Sequence, residues 1–245
     1  MDFTIEKYRE LLEALKKHKH HRIRHDVDLR PEYSLRVAQV EAEMGMKATY
    51  YFRSMHFKSH ADTIKAIVAL GHEAGFHYEC LTTTKGDIEA AYRLFISELK
   101  VLCRLVPVHT ACAHGSPRSP WNSQDIWNYH DIHTLGIDYE PMMDTDWSHT
   151  LYLTDTGRRW DGSRVSIRDK VPEYQKEWKR EGLVFHTTND IIRALVDPNH
   201  KIHNLRLLIN THPQRWMPFG LTWVEEFLLQ NTKNVAKALL LKIRR

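Results

Sequence analysis

Apolar positions along this chain follow two alternating rhythms. Tyr8, Leu11, Leu12 and Leu15 recur at helical spacing, and a strand-like run over residues 21–26 follows. Pro31 suits the first turn of a helix, which Leu35, Val37, Ala38, Val40 and Ala42 carry to a cap at Gly45. Residues 47–53 (KATYYFR) read as a strand, 61–70 as a helix stopped by Gly71, and 73–79 as a strand again. Gly86 and Asp87 open a long helix with Ile88, Ala91, Tyr92, Phe95, Ile96 and Leu99 on one face. Shorter strand candidates are 110–113, 136–139, 151–153 and 183–187. After them come a helix over 190–195, a strongly β run over 205–210 and a final amphipathic helix from Leu221 onward. Strands separated by helices imply parallel pairing with right-handed crossovers. The pattern predicts a single α/β domain over residues 1–245.

Composition narrows the class. At 245 residues, with 42% hydrophobic and 27% charged content, this is an ordinary soluble globular chain. The formal charge of +4 is small, and its basic excess gathers in residues 16–24 and 242–245. Such ends read as solvated helix faces or tails, so no nucleic-acid partner is expected. The first residues lack a charged-then-apolar signal pattern, and no apolar run approaches membrane-spanning length. Cys80, Cys103 and Cys112 have no metal-type pair spacing and read as free thiols of a reducing compartment. The expectation is a cytoplasmic protein that is not an integral membrane protein.

In parallel α/β folds, functional groups collect at the carboxyl ends of the strands. The first strand ends in Arg24-His25-Asp26-Val27-Asp28, where the period of two puts both carboxylates on one face. The third ends in His77, with Glu79 two residues on; the next ends in His114; the late apolar run opens at His212. Singly, each histidine is more often a satisfied imidazole. Jointly, two carboxylates and three imidazoles suit a divalent metal with nitrogen and oxygen ligands, zinc foremost. The set also has spare members to act as base and acid.

These residues carry a resemblance. Asp26-Val27-Asp28 after a β run, the segment GHEAGFH ending at His77, and the late strand ending at His212 resemble NodB-type polysaccharide deacetylases, carbohydrate esterase family 4. The segments HDVD, ATYYFR, GHEAGFHYE, HGSP and YLTDTGRRW further look like a branch found with surface-polysaccharide (O-antigen or capsule) synthesis. The resemblance implies a distorted (β/α) barrel of about seven parallel strands and a metal-dependent removal of acetyl groups from N-acetylated sugars. It implies Asp26 as base, Asp28 and His77 as metal ligands, and His212 as general acid.

The family's second metal histidine falls on Leu81, which binds no metal. His114 is the expected replacement and Glu79 the reserve. Asp155, in Thr154-Asp155-Thr156-Gly157-Arg158-Arg159-Trp160, is either an orienting carboxylate or a plain turn residue. Arg159 and Trp160 join Glu79 and Asp155 as expected substrate-binding or supporting residues, and Trp121, Trp160 and Trp216 could stack on a sugar face. Lys47, Arg118 or Arg158 could meet a phosphate of a nucleotide-linked or lipid-linked sugar. Two alternatives stay open: hydrolysis of another C–N bond, such as a formamide or cyclic amide, and an inactive relic that binds glycan.

Overall fold

The computed structural model describes residues 1–116, 118–162, 166 and 168–243, with side chains as far as 235. Pro117, which closes the HGSP segment, lies outside the described residues. Two compact units interleave along the chain: Met1–Arg24, Glu43–Met46 and Asp146–Arg245 form the first, and His25–Ala42 with Lys47–Thr145 the second. The first holds helix α1 (Ile5–Leu15). Strand β1 (His21–Val27) runs from the first unit into the second, where helix α2 (Glu32–Glu43) follows. The second unit continues with β2 (Ala48–Phe52), α3 (Ala61–Ala69), β3 (Glu73–Tyr78), α4 (Cys80–Thr83), α5 (Ile88–Cys103) and β4 (Ala111–Ala113). The first resumes with β5 (Thr150–Thr154), α6 (Pro172–Arg180), α7 (Thr188–Val196), β6 (Arg206–Thr211) and α8 (Leu221–Ile243).

The fold is α/β, and its six described strands hydrogen-bond in the order β4-β3-β2-β1-β6-β5. β2 pairs with β3, β3 with β4 and β5 with β6, all parallel. Two expected strands are absent as such. Residues 136–139 contribute only a single parallel bridge between Thr110 and Tyr139. Residues 183–187 form no strand because the cap of α7 takes their amides: His186 N and Thr187 N both donate to Asp190 Oδ2. The helix α6 was not legible in the hydrophobic pattern, since it buries only Trp178.

Within the second unit, β2 and β3 are buried on both faces, as strands under helical crossovers are. Phe76 packs on Phe57 and Phe95, and Tyr78 on Phe95 and Trp127. The other side of β1 meets α2 through a buried polar knot. His25 Nε2 lies 2.8 Å from Glu41 Oε1, and Tyr50 Oη donates to Glu41 Oε2 at 2.6 Å. Because side chains alternate along a strand, fixing His25 toward α2 turns Asp26 to the opposite face. β3 needs a glycine at 75 for a different reason: a Cβ there would sit 2.5 Å from the Tyr51 ring and 3.0 Å from Thr110 Cγ2. Gly75→Ala is expected to cost about 1–3 kcal/mol by overpacking, read from denaturant unfolding of the two proteins.

In the first unit, α1 starts at Thr4, whose Oγ1 accepts from Lys7 N. α7 starts at Thr187 with a reciprocal capping box to Asp190. Trp216 fills the space against Phe3, Tyr8 and Trp160 and is fully buried.

Candidate functional site

β1 ends at Val27 and the chain turns at once, with Asp28 N donating to Asp26 O at 3.1 Å. Asp26 is buried, and Asp28 is half-buried. Both carboxylates belong to groups of side chains that share His77 at the end of β3. One group is Asp26, His77 and Cys112; the other is Asp28, His77 and His114.

The second group has the arrangement of a ligand set. Asp28 Oδ1 lies 3.5 Å from His77 Nε2 and 3.4 Å from His114 Nε2. Ligands held about 2.0–2.1 Å from a tetrahedral zinc ion sit roughly 3.3–3.4 Å apart. Each imidazole is tied from behind at its other nitrogen. His77 Nδ1 donates to the Cys112 carbonyl at 2.9 Å, and His114 Nδ1 lies 3.0 Å from Glu79 Oε2. With Nδ1 carrying the proton, each Nε2 presents a lone pair to the centre of the group. His77 Nε2 is buried and makes no hydrogen bond among the described residues, an arrangement that costs stability unless a ligand such as a metal satisfies the atom. The pull on His77 is mixed: burial disfavours its charged form, but Asp26 and Asp28 outweigh it and raise its pKa. A divalent cation would relieve the same crowding of carboxylates. The residues fit the metal.

Glu79 stands outside the trio. Its oxygens accept from the Arg53 guanidinium, from His114 Nδ1 and from Ser116 Oγ. Burial works against its charge, yet the bonds from His114 and Arg53 prevail and bring its pKa down to about 2. It is therefore an anion that orients His114 and leaves no oxygen for the cation. Leu81, the second residue of the short helix α4, is buried. Replacing Glu79 by glutamine is expected to weaken zinc binding about 10–100-fold, measured by competition with a chromogenic chelator, while the far-ultraviolet spectrum stays unchanged.

The first unit holds a second cluster. The fully buried Asp155 accepts from His212 Nδ1 at 2.6 Å, Arg215 Nη1 at 2.5 Å, Trp216 Nε1 at 2.8 Å and His212 N at 3.1 Å. Four donors fill the acceptor capacity of one carboxylate. Burial opposes its charge, but Arg215 and His212 prevail and hold its pKa at about 2. The anion fixes the His212 ring with Nδ1 toward it, which turns Nε2 away from the carboxylate. A tight turn is present as well: Arg158 N donates to Asp155 O at 2.8 Å, with Gly157 and Arg158 both at positive φ.

Other residues singled out in the sequence do other things. Arg159 makes a two-pronged surface pair with Asp161. Trp160 is buried, stacks on Phe3 and donates to Thr188 Oγ1. Neither Trp160 nor Trp216 offers a free face for a sugar, since both are interior packing. Arg158 is buried with its guanidinium 4.0 Å from the Trp223 ring centre. Arg53, Ser116 and Arg215 hold parts in these clusters that the sequence pattern does not assign. Arg53 directly follows β2, so the strand-end rule pointed to it; Arg215 is three residues past His212 and carried no such signal.

No protein-family model matches the chain, and neither does any curated protein. Solved structures do. A CE4-family pseudoenzyme from Bacillus anthracis shares 15% identity at a TM-score of 0.42, over 90% of this chain and 62% of its own. A mutant of the peptidoglycan deacetylase PdaC from Bacillus subtilis shares 11% at 0.42, over 92% and 97%. PdaA of Bacillus subtilis, a family 4 carbohydrate esterase, shares 13% at 0.42, over 91% and 83%. The chain spans less than two thirds of the pseudoenzyme's length, 64% at most in the three structures of it.

Proposed function

We propose that this chain is a zinc-dependent hydrolase that removes the acetyl group from an N-acetylated sugar. Its substrate would be a nucleotide-linked or lipid-linked intermediate of surface-polysaccharide synthesis, met in the cytoplasm. The observation that carries the reading is the Asp28–His77–His114 group, whose two Nε2 atoms face one carboxylate oxygen at 3.4–3.5 Å. Zinc held there would polarise the acetyl carbonyl and make water acidic enough to attack near neutral pH.

The chain's own groups supply the proton traffic. Asp26, buried beside His77, takes the proton of the attacking water as its oxygen bonds to the acetyl carbon. The C–N bond then breaks, and the nitrogen leaves as an amine only if it gains a proton. This reading assigns that donation to His212 Nε2, with Asp155 stabilising the doubly protonated ring. Arg53, through Glu79, keeps His114 in its ligating orientation.

The test is acetate release from N-acetylated oligosaccharides and from nucleotide-linked and lipid-linked N-acetyl sugars by the zinc-loaded chain. Release that stops on chelation and resumes with zinc supports the proposal. Stoichiometric zinc with no acetate from any substrate sinks it and leaves a glycan-binding relic. Turnover of formamides or cyclic amides alone moves the activity to another C–N bond.

A further inference from the structure

The last helix is fastened on one side and bare on the other. Its inner side holds α8 to the first unit: Trp223 and Gln230 are buried, Trp223 stacks under the Arg158 guanidinium, and Asn234 Nδ2 donates to Gly157 O at 2.7 Å. The outer side presents Leu221, Val224, Leu228 and Val235, which are 84%, 37%, 60% and 63% exposed. Their spacing of three, four and seven residues places them along one stripe of the helix. Seven of the sixteen large apolar residues exposed among the described residues lie between Phe219 and Val235. Scattered exposed apolar side chains need no explanation, but a contiguous patch of this kind marks an interaction surface.

The charges next to the stripe indicate the partner. From Phe227 to Arg245 the sequence holds Lys233, Lys237, Lys242, Arg244 and Arg245, and no acidic residue. Apolar residues that enter the acyl boundary, followed by cations that meet headgroup phosphates, are the composition of a helix lying in a membrane interface. Among the described residues no helix is long and apolar enough to cross a membrane, so α8 would lie on the surface. Pairing with a second copy fits less well. From Leu221 to Arg245 the sequence offers only Glu225 and Glu226 against five cations, which leaves two paired copies with a net positive charge.

We propose that the outer face of α8 docks this protein on an anionic lipid surface. The proposal stands whether or not the metal site turns over, and goes beyond the hydrolase reading by placing the protein at a membrane. The test is co-sedimentation of the full chain with phosphatidylcholine vesicles, with and without phosphatidylglycerol, at low and high salt. Two double variants accompany it, Leu221→Asp with Leu228→Asp and Lys237→Glu with Lys242→Glu, each shown folded by circular dichroism. Wild type should sediment only with the anionic vesicles and be released by salt, and either double variant should bind about tenfold or more weakly. Wild type that stays in the supernatant with both vesicle types overturns the proposal, as does binding unchanged in both variants. A dimer by light scattering that the leucine pair dissociates, in a protein that ignores vesicles, reassigns the face to a second copy.

Discussion

His77→Ala is expected to strip the chain of zinc. Wild type should carry about one zinc per chain by elemental analysis, and the variant none after dialysis. The effect should exceed the roughly 10–100-fold loss that follows from disturbing a supporting residue such as Glu79. Acetate release should fall to background with it. Since His77 is buried, part of any loss could come from the cavity that alanine leaves. Asp28→Ala separates the two effects, because Asp28 is half-exposed and its truncation leaves no sealed void. Two folded variants that both retain stoichiometric zinc would remove the metal from this group of side chains.

The second large effect is expected from Asp155→Asn, and it has two parts. The first is stability. A carboxyl whose pKa falls from its ordinary 3.8 to about 2 on folding is worth about 2–3 kcal/mol. Its sign follows from the direction: the contribution is complete above about pH 4, where the unfolded group is already ionised. It fades as pH drops toward 2 and the folded group takes up its proton. Wild type should therefore lose stability over that acid window, and Asp155→Asn should show a flatter profile there from a lower plateau. At neutral pH the variant also leaves Arg215 and His212 without their anion in a buried place, at a cost of about 3–5 kcal/mol. The second part is activity. An amide presents either its oxygen or its NH2 to His212 Nδ1, so the ring loses both its fixed tautomer and its counter-charge. Turnover should fall about 10²–10⁴-fold with little change in zinc content. Unaltered turnover in a folded, zinc-loaded Asp155→Asn protein would take the acid role away from His212.

The strand ends were legible because they follow from periodicity. Strand-like runs at 21–26, 73–79 and 205–210 mark β1, β3 and β6, and Asp26, His77 and His212 lie at their carboxyl ends. Their partners were less visible, because a contact between distant segments leaves no mark on local spacing. Nothing near Glu79 announces that Arg53 and His114 share its oxygens. Nothing near Asp155 announces Arg215, 60 residues away. The tryptophans illustrate the opposite limit. Trp160 and Trp216 sit beside motif residues in sequence, yet aromatic bulk is used for packing, and both rings are interior. Residues 183–187 misled for a third reason: a short apolar run promises a strand only if neighbouring strands accept its amides, and here Asp190 takes those of His186 and Thr187 first.

The two imidazoles that face Asp28 are steadied by different kinds of acceptor. His114 leans on the side chain of Glu79, whereas His77 leans on the main-chain carbonyl of residue 112. A carbonyl is present whatever amino acid occupies the position, so no single exchange at 112 can delete it. Mutation can silence the support of His114 in one step, but it can reach the support of His77 only by moving the backbone of β4. The site thus has one mutationally exposed prop and one that the genetic code cannot remove. Of the two supports, loss by a single substitution would enter through Glu79, and the support of His77 would outlast it.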